Sequence, residues 1–189
     1  MSSPVAIVPA ISTSSGISPA GLFERHSSDV ARWVVRLGGP SIEVEDVVQE
    51  VFAVVVRKVD QFRGDAKPET WLFRITEKIV RNHRRRLAVR RILSLWANPD
   101  DADQTASEDP GPFEHLEKRQ RALRAYALLD RLPEKQRQVL ILYELEALST
   151  DDIARLMDVK PATVRVWLFR ARERFVNEKS SRRGRQEEQ

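Results

Sequence analysis

LSTDDIARLMDVKPATVRVWLFRARERF, from Leu148 to Phe175, reads as two short helices joined by a tight turn, the second strongly basic. Ser149 suits the N-cap of the first, and Asp152 three residues on completes a capping-box pattern. Ile153, Ala154 and Leu156 make its buried side. Asp158 and Val159 form the turn, and Pro161 fits the first position of the next helix, where its missing N–H has no partner to lose. There Val164, Leu168, Ala171 and Phe175 recur at i, i+4, i+7 and i+11, a core-facing stripe. Arg165, Phe169, Arg170 and Arg172 point elsewhere. A scaffold helix followed by a basic helix is the helix-turn-helix plan for reading a DNA major groove. An ordinary helical hairpin with a solvated charged face has the same spacing, so pattern alone leaves both readings open.

Composition narrows the field. The chain has 189 residues, room for one medium or two small domains. It is 41% hydrophobic and 32% charged, enough for a core without being oily. A net charge of +4 hides a segregation. Arg81, Arg84, Arg85, Arg86, Arg90 and Arg91 crowd one segment, and a second basic cluster runs from Arg165 to Arg174. Between them, from Asn98 to Glu114, acids occur without Lys or Arg. Two basic blocks on either side of an acidic connector imply two polyanion contacts and a connector that avoids the polyanion. There is no cysteine, hence no disulfide, thiolate metal site or thiol switch. No apolar run is long enough to span a bilayer, and the N-terminus lacks the positive start of a signal peptide, so a cytoplasmic protein without membrane insertion is expected.

The expected organisation is all-α: two small helical domains joined by a flexible acidic linker. Residues 1–19, rich in Ser, Pro and small apolar residues, read as a disordered tail. Helical patterning covers 20–93, and a polar linker with Asn98-Pro99 and Pro110-Gly111 covers 94–113. Helical patterning resumes over 114–178, and 179–189 is a charged tail. The valine-rich run from Val47 to Val59 keeps helical period, so no strand is expected.

The helix from about Ile42 to Val59 has two faces. Val44, Val47, Val48, Val51, Phe52, Val55 and Val59 form the buried one. Asp46, Gln49, Glu50, Ala53 and Arg57 line the other, which by pattern alone is an ordinary solvated stripe. So many β-branched residues lower helix propensity and make this helix depend on packing. The next helix starts near Pro68. Leu72, Ile75 and Ile79 face a core, while Arg74, Lys78, Arg81 and Arg85 form a cationic rail. A rail beside Phe62, Trp71 and Phe73 has the ingredients of single-strand binding, charge for the backbone and aromatic faces for bases. The aromatics serve a core equally well.

No enzyme emerges, and no catalytic residue, metal site or cofactor is expected. His26, His83 and His115 have no metal-ligand spacing, and no Gly-rich phosphate loop occurs. Asp100, Asp101 and Asp103 lack the Gly and distal Glu of a calcium loop.

The motifs in this order resemble a known family. LFERHSSDVARWVVRL, VEDVVQEVF and FRGDAKPETWLFRI, followed by the Arg run, look like region 2 of the sigma-70 family. The stretch from Leu128 to Phe175, with LPEKQRQVL and the helix pair, looks like region 4. With only these two regions, the chain is similar to the extracytoplasmic-function (ECF) group of bacterial sigma factors. The combination of motifs is specific, where the helix pair alone is not.

The resemblance implies roles. Asp46, Gln49 and Glu50 match the surface that grips core RNA polymerase. Phe62, Arg63, Trp71, Arg74, Lys78, Arg81, Asn82 and Arg85 match the parts that open and hold the promoter −10 element. Lys160, Pro161, Thr163, Arg165, Val166, Phe169 and Arg170 match the contacts to the −35 element. The partners it implies are core polymerase, promoter DNA, and an anti-sigma factor or other signal-dependent regulator. Four positions depart from the family's habits: Pro68 where Phe is frequent, Lys78 for Asn, Asn82 for Asp, and Trp167 at a usually polar place. Two rivals compete with this reading: a stand-alone helix-turn-helix regulator, and a protein-only anti-regulator or scaffold.

Overall fold

Ser18 opens the first helix: its hydroxyl accepts from the Gly21 N–H at 3.0 Å, and Pro19 supplies a preset first turn. The structure is a computed structural model that describes residues 17–97 and 113–187. Seven α-helices follow in order: α1 Pro19–Gly38, α2 Val44–Lys58, α3 Pro68–Ala97, α4 Phe113–Leu129, α5 Glu134–Glu144, α6 Thr150–Met157 and α7 Pro161–Glu187. A 3-10 turn, Val59–Gln61, closes α2. No strand occurs among the described residues, so the all-α reading holds. Most of the expected N-terminal tail and linker, residues 1–16 and 98–112, lies outside the described residues.

Two helices run further than their patterning promised. α3 continues to Ala97, because Ile-Leu-Ser-Leu-Trp-Ala contains no breaker and Pro99 is the first residue to disfavour helix before it. α7 continues to Glu187, since extending a formed helix is far easier than nucleating one and its last turns contain no Pro.

The first three helices share a core. Val47, Val51 and Val55 of α2 have no exposed surface and face Val30, Val34 and Leu37 of α1 and Leu72 and Phe73 of α3 within one apolar cluster. Trp33 meets Phe73 edge-on, with ring centres 5.2 Å apart. Burial of this stripe holds a valine-rich helix that would not stand alone.

In the second set, α5, α6 and α7 pack through Val139, Leu142, Ile153, Val164, Leu168 and Ala171. Ser149 caps α6, its Oγ accepting from the Asp152 N–H at 3.1 Å. The reciprocal half of the expected capping box is different: Ser149 Oγ–H donates to the Asp152 carboxylate at 2.6 Å, and Arg155 pairs with the same side chain. These bonds hold the Asp152 carboxyl below its ordinary value, the Ser149 hydroxyl contributing most. That contribution is present above the unfolded pKa and is lost as pH falls through the folded one. Ser149→Ala should cost about 1 kcal/mol, read as an earlier urea midpoint with an unchanged slope. The helix ends on Asp158, at φ 55°, a left-handed conformation that Asp tolerates better than most residues.

The two sets are packed against each other, α1 on α5 and α3 on α6. This is why Gln136, Arg137 and Gln138 of α5, polar residues of surface type, are buried. Arg137 has no exposed surface and donates through Nη1 to the Leu37 carbonyl at 2.8 Å. Its Nε reaches Asp130 at 3.2 Å, and its guanidinium lies 5.8 Å from the centre of the Tyr126 ring. Burial, aided by the Arg84 charge, pulls its pKa down to about 10, which still leaves it charged at neutral pH. Tyr126 donates to the Arg36 carbonyl at 2.9 Å, and burial raises its pKa, so the phenol keeps its proton. Gly39, at φ 81°, lies under the same ring: a Cβ there would sit 2.6 Å from Tyr126 Cδ1.

Candidate nucleic-acid and polymerase interfaces

At the start of α7, Lys160 precedes Pro161, and its carbonyl accepts from the Thr163 N–H at 2.9 Å. Val164, Leu168 and Ala171 are buried, which turns Lys160, Pro161, Arg165, Val166, Phe169 and Arg170 outward. Thr163 is half-buried. Phe169 is 70% exposed, an unusual place for a large apolar ring and one suited to a thymine methyl or the edge of a partner. Arg172 is engaged within the domain. It binds Glu144 through Nε at 3.0 Å and Nη2 at 2.7 Å, and its guanidinium lies 4.8 Å from the Tyr143 ring centre. The Glu144 bonds raise its pKa. Arg165 and Arg170, by contrast, are exposed in the first half of the helix. Trp167 is half-buried and packs against the core, which accounts for an indole at a position where polar residues are frequent.

The rail on α3 is only partly open. Arg74 pairs with Asp158 of the α6–α7 turn, and Arg81 pairs with Glu77 at 3.1 Å. Lys78, Asn82 and Arg85 are exposed. Phe62 is 7% exposed and packs on Trp71, ring centres 5.2 Å apart, so it supports the half-buried indole from inside. Arg63 is exposed on the loop before α3. There a cavity of about 370 Å³ is lined by Ile17, Phe62, Gly64, Asp65, Ala66, Lys67 and Pro68. Gly64, at φ 77°, turns this loop.

Asp46, Gln49 and Glu50 are exposed on one side of α2. Glu50 is tied to α3: His83 Nε2 lies 2.6 Å from Glu50 Oε2.

Periodicity did not point to Thr70, Glu77, Arg84, Arg137, Glu146 or Asp158 as a group, yet they form the junction between the helical sets. Arg84 bonds Asp130 at 2.8 Å and Glu134 at 3.0 Å. Glu146, whose side chain is 5% exposed, takes Arg32 at 2.6 Å and Arg36 at 2.8 Å. Each side chain viewed in its own helix reads as an ordinary surface charge. Among the described residues no cluster of three or more His, Asp or Glu could hold a metal, and no helix is long and apolar enough to cross a membrane.

Comparison with known proteins supplies the identity. Residues 22–91 match the family model for sigma-70 region 2, and residues 122–175 match that for sigma-70 region 4. The RNA polymerase sigma-H factor of Pseudomonas aeruginosa is 35% identical over 165 residues, 80% of this chain and 81% of the relative. The ECF RNA polymerase sigma-E factor of Escherichia coli K12 is 34% identical over 160 residues, 82% of this chain and 83% of the relative. Among solved structures, CnrH in complex with the cytosolic domain of CnrY shares the fold at a TM-score of 0.57 and 21% identity, covering 86% of this chain and 88% of CnrH. With two regions matched in order and relatives aligned over most of their length, the chain belongs to the sigma-70 family of RNA polymerase sigma factors, in its ECF group.

Proposed function

We propose that this protein joins core RNA polymerase through the Asp46, Gln49 and Glu50 face, reads a promoter −35 element with the start of α7, and uses α3 and its preceding loop to open and hold the −10 element. It performs no covalent chemistry in this reading and acts in the cytoplasm. An anti-sigma factor or another signal-dependent regulator is the partner the family leads us to expect. The observation that carries the proposal is the co-occurrence, on one small fold, of an acidic α2 face, an aromatic and cationic α3, and a basic recognition helix. A stand-alone regulator needs only the last, and a scaffold that binds proteins alone needs no basic recognition helix. Run-off transcription with core polymerase on genomic fragments tests it: discrete starts that require the protein support the reading, and none would overturn it.

Base contacts concentrate near the start of a recognition helix, while later cations meet phosphate. Arg165→Ala should therefore change preference at particular −35 bases. Arg170→Ala should weaken binding to all variants and lower the salt slope by about one unit. Uniform weakening by Arg165→Ala across promoter variants would demote it to a phosphate contact.

A further inference from the structure

His83 ends the buried stripe of α3. Leu72, Thr76, Ile79 and His83 recur at i, i+4, i+7 and i+11; the first three are buried, and the fourth falls where the helix leaves the core. An imidazole suits that edge, with an apolar body and a polar tip. Its side chain is 26% exposed, and its Nε2 meets Glu50 of α2 at 2.6 Å. Among the described residues neither Asp46 nor Gln49 has a side-chain partner, so Glu50 is the one member of that trio held by a neighbouring helix. The other charges around the ring are few. Asp46 stands one turn before Glu50 on α2. Arg86 and Arg90 follow His83 on its own side of α3, while Arg84 is turned to Asp130 and Glu134.

We propose that His83 is a positioning residue for the polymerase contact: its ring holds the Glu50 carboxylate in place on the α2 face, and its charge state sets how much of that carboxylate's charge is left for the partner. The inference rests on the assignment of Asp46, Gln49 and Glu50 to core polymerase. A glutamate on an open helix face rotates freely, and ordering it on binding opposes association. A ring set between α2 and α3 does part of that ordering before the partner arrives. The neutral ring adds no charge, so the whole carboxylate charge faces a cation of the partner. Protonated, the ring neutralises Glu50 at contact distance and sets a like charge against the same cation. Polymerase binding therefore favours the neutral ring and expels a proton. By linkage, affinity falls as pH falls through the titration of the ring in the free protein. An imidazole ordinarily changes charge between about pH 5 and 8, which places the effect where it can be measured on a folded protein.

Core polymerase has titrating groups of its own, so each variant of the full chain is compared with wild type at the same pH, by competition against a labelled sigma factor for limiting core. His83→Gln keeps an amide that can reach the carboxylate and cannot titrate. It should compete as wild type does at about pH 8 and about fivefold better at about pH 6, where the wild-type ring carries charge. His83→Ala removes the support as well. It should compete about threefold worse than wild type at about pH 8 and lose that disadvantage at about pH 6. In a Glu50→Gln background, itself weakened, the difference between histidine and glutamine at position 83 should shrink to within about twofold at either pH, because the charge the ring acts on is gone. A His83→Gln protein that follows wild type at both pH values would overturn the proposal, as would a pH response undiminished by Glu50→Gln. Glu50→Gln that competes as well as wild type would instead remove the assignment of this face to polymerase. Circular dichroism shows whether the half-buried site tolerates each change, and if one His83 variant unfolds the other decides.

Discussion

Reversing the charges at Asp46 and Glu50 together should abolish binding to core RNA polymerase while leaving the helical signal in circular dichroism intact. Both side chains are exposed on α2, so neither holds the fold. Glu50 does lose its bond to His83, but the pair is partly exposed and contributes little to stability. Buried in an interface, each carboxylate would pair with a cation of the partner. Removing one member of such a pair costs on the order of 2–5 kcal/mol, chiefly because the other charge is stranded. Two reversals go further and place like charges in contact. Competition against a labelled sigma factor for limiting core enzyme reads the loss directly. A double variant that competes as well as the wild type would move the polymerase contact to another face.

The second large effect is expected after promoter recognition. Arg74→Ala with Lys78→Ala should leave core binding intact and slow open-complex formation. A displaced strand needs its phosphates neutralised and its bases given somewhere to stack; Arg74 and Lys78 follow Trp71 along α3, and Phe62 props the indole from within. A promoter with a pre-melted bubble should restore part of the rate, because it removes an unpairing cost of a few kcal/mol. Loss of Arg74 also removes its pair with Asp158 of the α6–α7 turn, a largely exposed contact that contributes little to stability. Asn82, neutral where an acid is frequent in the family, removes a repulsion near phosphate and should relax discrimination on duplex DNA. Normal permanganate reactivity of −10 thymines in the double variant would reduce the rail to a general polyanion surface.

Local physics explains what was legible in the sequence. The α6–α7 pair announced itself through Ser149, Pro161 and the stripe Val164, Leu168 and Ala171, because caps and periodicity act within a few residues. The valines of α2 did the same, as Val47, Val51 and Val55 show by their complete burial. Arg137 and Glu146 were not legible. Their burial depends on a neighbouring set of helices whose placement no helical period encodes. Phe62 lay between: its type fitted a base contact or a core, and the structure places it under Trp71. The outward Arg165, Phe169 and Arg170 could be named from the sequence, whereas the engagement of Arg172 by Glu144 required a helix 28 residues away in sequence.

α5 has a consequence of its own. Its Gln136, Arg137 and Gln138 are enclosed here, yet none would be harmed by water. Amides and a guanidinium exchange one set of hydrogen bonds for another as the surroundings change from dry to wet. The central helix of the second domain is thus written in an amphibious alphabet, with surface-type side chains set into the seam between two sets of helices.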